Sequence, residues 1–334
     1  MFDVGHGDSI LICDEDKHSL LVDVGSQTPT PAMCFYLSSF IKNTISPNRG
    51  GLVISHYHWD HYSLFHCFRN PRSLFAKIYL PDIETTGEVD SPGYAMMEFL
   101  RTAIHFNFGH YRILPEIITN TRVPLEFCRK GTKIKEITPH QRVIWPDFSN
   151  QALRSRKIAK IAAGVREALK PIMKEFGIEF QIDPGKKYAM REFVRDLERE
   201  EGRYQREPES EKRDVYKTLE RIEKDLGPIA NTFSIAFRTK YWKSPTLLFL
   251  GDVPEAVLNK IHIPTSHTYD FVKASHHGTE FGRSLTNVYT NFLLISRIEK
   301  SKKLKRINDG YINELQYNML LSTSFLGDCF FYNI

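Results

Sequence analysis

Apolar positions in the first 147 residues come in short runs that stop at turn residues. Runs at Ser9–Cys13, Leu20–Asp23, Leu52–Ser55 and Lys77–Leu80 have the length and the aliphatic character of buried strands. Between them, apolar residues recur at helical spacing near Met33–Lys42, Tyr62–Phe68 and Tyr94–Phe106. Leu125–Phe127 and Lys133–Ile137, on either side of Gly131-Thr132, predict a hairpin that leads to a further strand at Val143–Pro146. Strands alternating with helices imply helices packed on sheet faces.

The pattern changes after Asn150. Up to Gly227 the chain is dense in Arg, Lys and Glu and is written in helical period, with Ile158, Ile161, Val165, Leu169 and Ile172 on one face and Val215, Leu219, Ile222 and Leu226 on another. Gly227-Pro228 is expected to close this segment, as Gly and Pro do at helix ends. Strands then resume at Thr232–Arg238, Thr246–Leu250 and Asn291–Ser296, and Thr323–Tyr332 is expected to be the last. The organisation predicted is a first half over 1–149, a charged helical insertion over 150–228 and a second half over 229–334.

With 334 residues, 41% of them hydrophobic, the chain is ample for a sizeable core. A net charge of +5 permits an anionic substrate without demanding one. Cys13, Cys34, Cys67, Cys128 and Cys329 form no Cys-x-x-Cys pair, which predicts free thiols in a reducing compartment. No apolar run approaches the ~18 residues of a membrane span, and the start of the chain shows no basic leader, so the expected address is the cytoplasm, with no membrane partner.

Directly behind Gly51-Leu52-Val53-Ile54-Ser55 stands His56-Tyr57-His58-Trp59-Asp60-His61. A strand end followed by a turn and a helix can fan imidazoles and a carboxylate around one point, and divalent cations need that mixture of nitrogen and oxygen donors. Competing chemistries lack support: there is no Gly-x-Ser-x-Gly elbow and no Walker loop. His105, His110, His140, His262 and His267 have no partners at ligand spacing and read as structural or exposed.

The His-x-His-x-Asp-His order at a strand end resembles the signature of the metallo-β-lactamase superfamily. Phe2-Asp3-Val4-Gly5-His6-Gly7-Asp8-Ser9, Leu20–Ser26, Leu247–Asp252 and Val272–Thr279 resemble, in order, the motifs of the metallo-hydrolase domain of ComEC-type DNA-uptake proteins. The resemblance implies an α/β fold, the four-layer αββα sandwich, here with a mainly helical insertion and without the membrane helices of those proteins. It also implies two divalent metal ions, Zn or Mn. His56 and His58 would hold the first, Asp60 and His61 the second, and Asp252 would bridge them, since a carboxylate between two cations offsets their repulsion. Turnover would then depend on Asp60 and Asp252. The final ligand is expected from the His276-His277 pair, with His276, nearer the strand, favoured. Asp23 and Asp8 are expected to orient ligands rather than to bind metal.

Three positions depart from the family pattern. Asn231 stands where many members carry histidine; it reads either as a harder, weaker ligand that suits manganese or magnesium better than zinc, or as a turn residue. His6, where relatives often have Gln, reads as a lip over the metals or as a plain turn. The basic run Glu299–Arg306 replaces a Gly-His-Pro turn and reads as a phosphate-facing segment or as a solvated loop. The function expected is a phosphodiesterase or nuclease with nucleic acid, DNA above all, as partner. The alternatives are a small-molecule hydrolase such as a cyclic-nucleotide phosphodiesterase, and an effector whose helical insertion docks a partner protein or a second copy and gates the site.

Overall fold

The computed structural model describes residues 1–14, 17–85, 91–112, 114, 117, 121–137, 140–150, 156–178, 180, 187–199, 209–239, 246–266, 268–296, 307–323 and 327–329. Strands β1 (Ile10–Cys13), β2 (Ser19–Val22), β3 (Gly50–Val53), β4 (Phe75–Pro81) and β5 (Leu125–Cys128) form one mixed sheet in that order, with only β1 antiparallel to its neighbour. β2 and β3 are buried along their whole length, which is why they read as unbroken apolar runs rather than as alternating ones. A second mixed sheet holds β6 (Lys133–Ile134), β7 (Gln141–Trp145), β8 (Ala236–Thr239), β9 (Leu247–Phe249), β10 (Thr268–Lys273), β11 (Tyr289–Ile295) and β12 (Gln316–Ser322), adjacent in chain order. β9 to β12 run parallel, while β6, β7, β8 and β9 pair antiparallel.

One apolar cluster draws on both sheets. Ile10, Leu20, Val22, Val53 and Tyr79 from the first meet Val143, Phe237, Leu247, Phe249, Leu294 and Leu321 from the second. Phe237 and Phe249, on neighbouring strands, stack with centroids 4.9 Å apart. Each such side chain taken fully out of water contributes on the order of 1.5–3 kcal/mol, so this cluster carries much of the fold's stability.

Two expectations of the strand pattern need correction. Leu125–Phe127 and Lys133–Ile137 do not form a hairpin: β5 closes the first sheet beside β4, and β6 pairs with β7 in the second. The chain passes from one sheet to the other through the turn at Arg129–Thr132, where Gly131 has a φ of +96°. The last described strand is β12, upstream of Thr323–Tyr332, and residues 324–326 and 330–332 of that expectation lie outside the described residues. β12 escaped the pattern because most of its first half is exposed, as befits an edge strand, so no buried apolar run marks it.

The chain clusters into two compact units, one of Met1–Pro81, Val123–Asp147 and Asn231–Ile334, the other of Asp82–Arg122 and Phe148–Ala230. The first holds both sheets together with helices α1 (Pro31–Thr44) and α2 (Trp59–Tyr62). The second is helical, with α3 (Pro92–His105), α4 (Arg156–Glu175), α5 (Met190–Arg199) and most of α6 (Glu209–Thr232). Residues 82–122, which the sequence placed with the first half of the hydrolase domain, thus group with 148–230. The apolar stripes carry the helical unit: Ile158, Val165, Leu169 and Ile172 of α4 are buried, as are Val215, Leu219, Ile222 and Leu226 of α6. Arg166 joins α4 to α3 by a 2.9 Å ion pair with Glu98 and by lying 4.5 Å over the Tyr94 ring. α6 does not stop at Gly227-Pro228 but runs to Thr232. Pro228 forfeits one backbone hydrogen bond, and the burial of Ile229 and Ala230 carries the helix past it.

The cysteines also depart from expectation. Cys34 on α1 and Cys67 after α2 form a disulfide, their Cα atoms 5.2 Å apart, while Cys13, Cys128 and Cys329 are not disulfide-bonded. The pairing joins residues 33 apart in sequence, and only the packing of α1 beside the turn after α2 brings them within disulfide reach. The cysteines therefore no longer argue for a reducing compartment. Among the described residues no helix is long and apolar enough to cross a membrane.

Candidate metal centre

The site is built at the C-terminal ends of parallel strands from both sheets, where α/β proteins gather ligands. β2 leads to Asp23, β3 to Ser55 and His56, β9 to Asp252, β10 to His276 and His277, and β11 to Ser296. His58 stands at the N-terminal boundary of α2 without spending its side chain on the cap, and α2 itself carries Asp60 and His61.

Local backbone demands explain the glycines. A Cβ on Gly25 would lie 2.3 Å from the Asp60 carbonyl carbon and 2.4 Å from the His61 nitrogen, so only glycine lets the loop after β2 press on that peptide. Val24 N–H then donates to the His61 carbonyl at 2.9 Å and Asp8 N–H to that of Asp60 at 3.2 Å. Asp23, His276 and His277 have φ values of 57°, 47° and 53°, the left-handed region that costs non-glycine residues about 1–3 kcal/mol each. Hydrogen bonds hold this strain in place, with Asp23 N–H donating to Val53 O at 2.8 Å and His276 N–H to Gly251 O at 3.0 Å.

Asp252 is the hub. Its Oδ2 lies 3.5 Å from His61 Nε2, 3.8 Å from His276 Nε2, and 3.9 Å from both His56 Nε2 and His277 Nε2. His56 Nε2 and His58 Nδ1 turn to one another at 2.8 Å. Asp60 faces His277 Nε2 at 3.3 Å, His61 Nε2 at 3.9 Å and His6 Nε2 at 3.8 Å. The carboxylates and imidazoles thus mostly stand too far apart to bond one another, at the separation two ligands take when each sits about 2 Å from one cation.

A second layer of contacts fixes which ring nitrogen is free. Asp23 accepts from His61 Nδ1 at 2.9 Å, from Ser55 N–H at 2.6 Å and from the Ser55 hydroxyl at 2.8 Å. His277 Nδ1 donates to the Ser296 carbonyl at 3.1 Å. Both rings therefore present Nε2 to the centre, as ligating histidines do when a carboxylate or carbonyl takes their other proton. Asp8 is held by Lys273 Nζ at 2.9 Å and by the Ser296 hydroxyl, and it approaches His277 Nδ1 at 3.7 Å.

Burial and neighbouring charges pull several titrations here in opposite directions. It holds the His56 and His58 imidazoles below their ordinary value, His58 at about 4, and it pushes the Asp23 carboxyl up against the opposing pull of His61. Burial would also raise Asp60 and Asp252, yet His61 and His277 keep both well below the usual carboxylate range. In return, and against burial, Asp252 and Asp23 raise His61, while Asp8 and Asp252 raise His277.

The donor set fits divalent cations on a direct observation. His61 Nε2, His277 Nε2, Asp252 Oδ1 and Asn231 Oδ1 are buried without a hydrogen-bond partner, and buried polar atoms are rarely left so. Asp8, His61, Asp252 and His277 each offer an atom within 4.8 Å of the others, and His6, Asp60 and His277 do the same. Of the residues singled out in the sequence, His56, His58, Asp60, His61, Asp252, His276 and His277 converge. Both His276 and His277 reach Asp252, and His277 alone also reaches Asp60. Asn231 touches the centre through backbone: its carbonyl accepts from Ser234 N–H at 3.1 Å, and the Ser234 hydroxyl accepts from Asp252 N–H at 2.9 Å. The basic run at 299–306 and His267 lie outside the described residues.

Lys273, Ser55 and Ser296 went unmarked in the sequence, and His6 was marked only as a lip or a turn. Lys273 did leave a signal, a charge between the apolar Phe271-Val272 and Ala274 at a strand end, where burial demands a partner. Fold and site together define an α/β protein of two mixed sheets with a buried His/Asp cluster able to hold metal. No protein-family model, curated protein or solved structure matches the chain.

Proposed function

We propose that this chain is a metal-dependent phosphodiesterase that cleaves nucleic acid, DNA above all, on an αββα scaffold of the metallo-β-lactamase type. The observation that carries the reading is the Asp252 carboxylate, whose one oxygen lies within 3.5–3.9 Å of four imidazole nitrogens. His56 and His58 would hold one divalent cation, Zn or Mn, Asp60 and His61 a second, with Asp252 between them and the His276-His277 pair completing the set. Bound there, such ions supply Lewis-acid activation of water and of the phosphoryl group.

The chain's own residues supply position and charge. Asp23 and Ser55 lock His61 so that only Nε2 faces inward, and Ser296 does the same for His277. Asp60 and Asp252 stay ionised because imidazoles surround them. His6, His58 and His276 are the partly exposed members of the cluster, so a phosphodiester would approach from their side.

The test is an assay of manganese-loaded and zinc-loaded protein on single-stranded DNA, duplex DNA, RNA and cyclic dinucleotides, beside Asp60→Ala. DNA cleavage that needs added metal and vanishes in Asp60→Ala is expected. Cleavage of cyclic dinucleotides alone would move the substrate to the small-molecule class, and no cleavage of any arm by either metal form overturns the reading.

A further inference from the structure

A second set of metal-capable side chains lies away from Asp252. Cys34 sits in the first turn of α1, and the 3-10 turn Phe65–Cys67 supplies His66 and Cys67. His66 Nε2 is 3.5 Å from Cys34 Sγ and 4.0 Å from Cys67 Sγ. Its other nitrogen, Nδ1, lies 2.7 Å from the Ser63 carbonyl, to which it can only donate. A neutral ring so held carries its lone pair on Nε2, facing the two sulfurs, and this is how a carbonyl prepares a histidine for a metal. The three ligand atoms fall within 4.8 Å of one another.

We propose that Cys34, His66 and Cys67 form a zinc site that opens when their disulfide is reduced, so that redox state decides whether it is filled. Two thiolates and an imidazole are a soft set that favours zinc over manganese or magnesium, whereas sulfurs joined to each other are poor ligands. The cluster is partly exposed, so water can take the fourth position of a tetrahedral ion. The chemistry balances with a small dithiol as reductant. The dithiol gives up two electrons and two protons and becomes a disulfide, Cys34 and Cys67 become thiols, and zinc then releases two protons to solvent as it takes both thiolates.

Placement gives the site a consequence. Ser63, whose carbonyl orients His66, also exchanges hydrogen bonds with Ser26, its hydroxyl accepting from Ser26 N–H at 2.7 Å and donating to Ser26 O at 2.8 Å. Either cross-link, disulfide or zinc, therefore ties α1 to the segment that follows Asp60 and His61.

Cobalt substitution tests the proposal, because the Asp252 centre contains no sulfur and cannot give a thiolate-to-cobalt charge-transfer band. Reduced protein titrated with cobalt should develop that band, and reduced protein should take up one more equivalent of zinc than the disulfide form. Cys34→Ser should remove both signals. His66→Gln, which leaves the cysteines in place, should weaken zinc at this site by about tenfold or more. Reduced protein that shows both thiols to a thiol reagent, yet gives no band and no extra zinc, overturns the inference.

Discussion

Asp23 shows how much of this centre rests on a side chain that need not touch a metal. It accepts three hydrogen bonds, two from Ser55 and one from His61 Nδ1, and it does so from a left-handed backbone. Asp23→Asn isolates the charge from the geometry, because Asn tolerates the same φ, but its amide NH2 must face one of those donors. Metal affinity should fall by about 10–100-fold with the fold retained, read by calorimetric titration of zinc and manganese beside a thermal melt. Unchanged affinity would remove Asp23 from the ligand-orienting role. Asn231 offers the complementary experiment. Its buried carboxamide oxygen has no hydrogen-bond partner, and an amide oxygen is a harder donor than imidazole. Asn231→His should shift the ratio of zinc to manganese affinity towards zinc, and an unaltered ratio would make Asn231 a structural residue only.

At the scale of elements, the site depends on how strands end. Gly251 lies between β9 and Asp252 with a φ of +53°, and a Cβ there would sit 2.3 Å from Ser234 Oγ and 2.7 Å from the Ile235 carbonyl oxygen. Gly251→Ala should therefore cost about 1–3 kcal/mol in backbone strain, with the clash in addition, and should displace Asp252 from its imidazoles. Gly164, exposed within α4 with nothing within 4 Å of a Cβ, is the control: Gly164→Ala should be neutral or stabilise by up to ~1 kcal/mol. Chemical denaturation with metal titration checks both, and equal effects would contradict the account. The same strand ends explain what could be read from sequence. The cluster from His56 to His61 was legible because its candidate ligands fall within six residues and follow a doubly covered strand. Lys273 and Ser296 were not, since their contacts with Asp8 join three separate strand ends. The turn at Gly131 was marked correctly as a turn, but nothing local says that the next strand joins the other sheet. Cys34 and Cys67 likewise meet only through tertiary packing.

The centre also links the whole molecule to pH through the protons it holds when metal is absent. His61 and His277 sit among Asp8, Asp23, Asp60 and Asp252, and these carboxylates raise both imidazoles above the ordinary 6.5. A group raised on folding contributes stability that is fully present below its unfolded value and is lost as pH climbs through its folded one. Asp60 and Asp252 are lowered instead, so their contribution is present above the unfolded carboxylate range and disappears as pH falls. His56 and His58, kept neutral by burial, add a penalty on the acid side, because the unfolded chain can protonate them and the folded one resists. Metal-free protein should accordingly lose stability at both ends, and on the alkaline side the cause is the departure of the His61 and His277 protons from a nest of carboxylates. Divalent cations held there should reverse that side, since they would bind the deprotonated rings and gain affinity as the competing protons leave. Thermal midpoints measured in chelator should fall as pH climbs through the window above the ordinary 6.5, while those measured with saturating zinc or manganese should hold or rise, so that the gap between the two curves widens with pH. Two curves that run parallel across that window would show that the protons and the metal do not share these ligands.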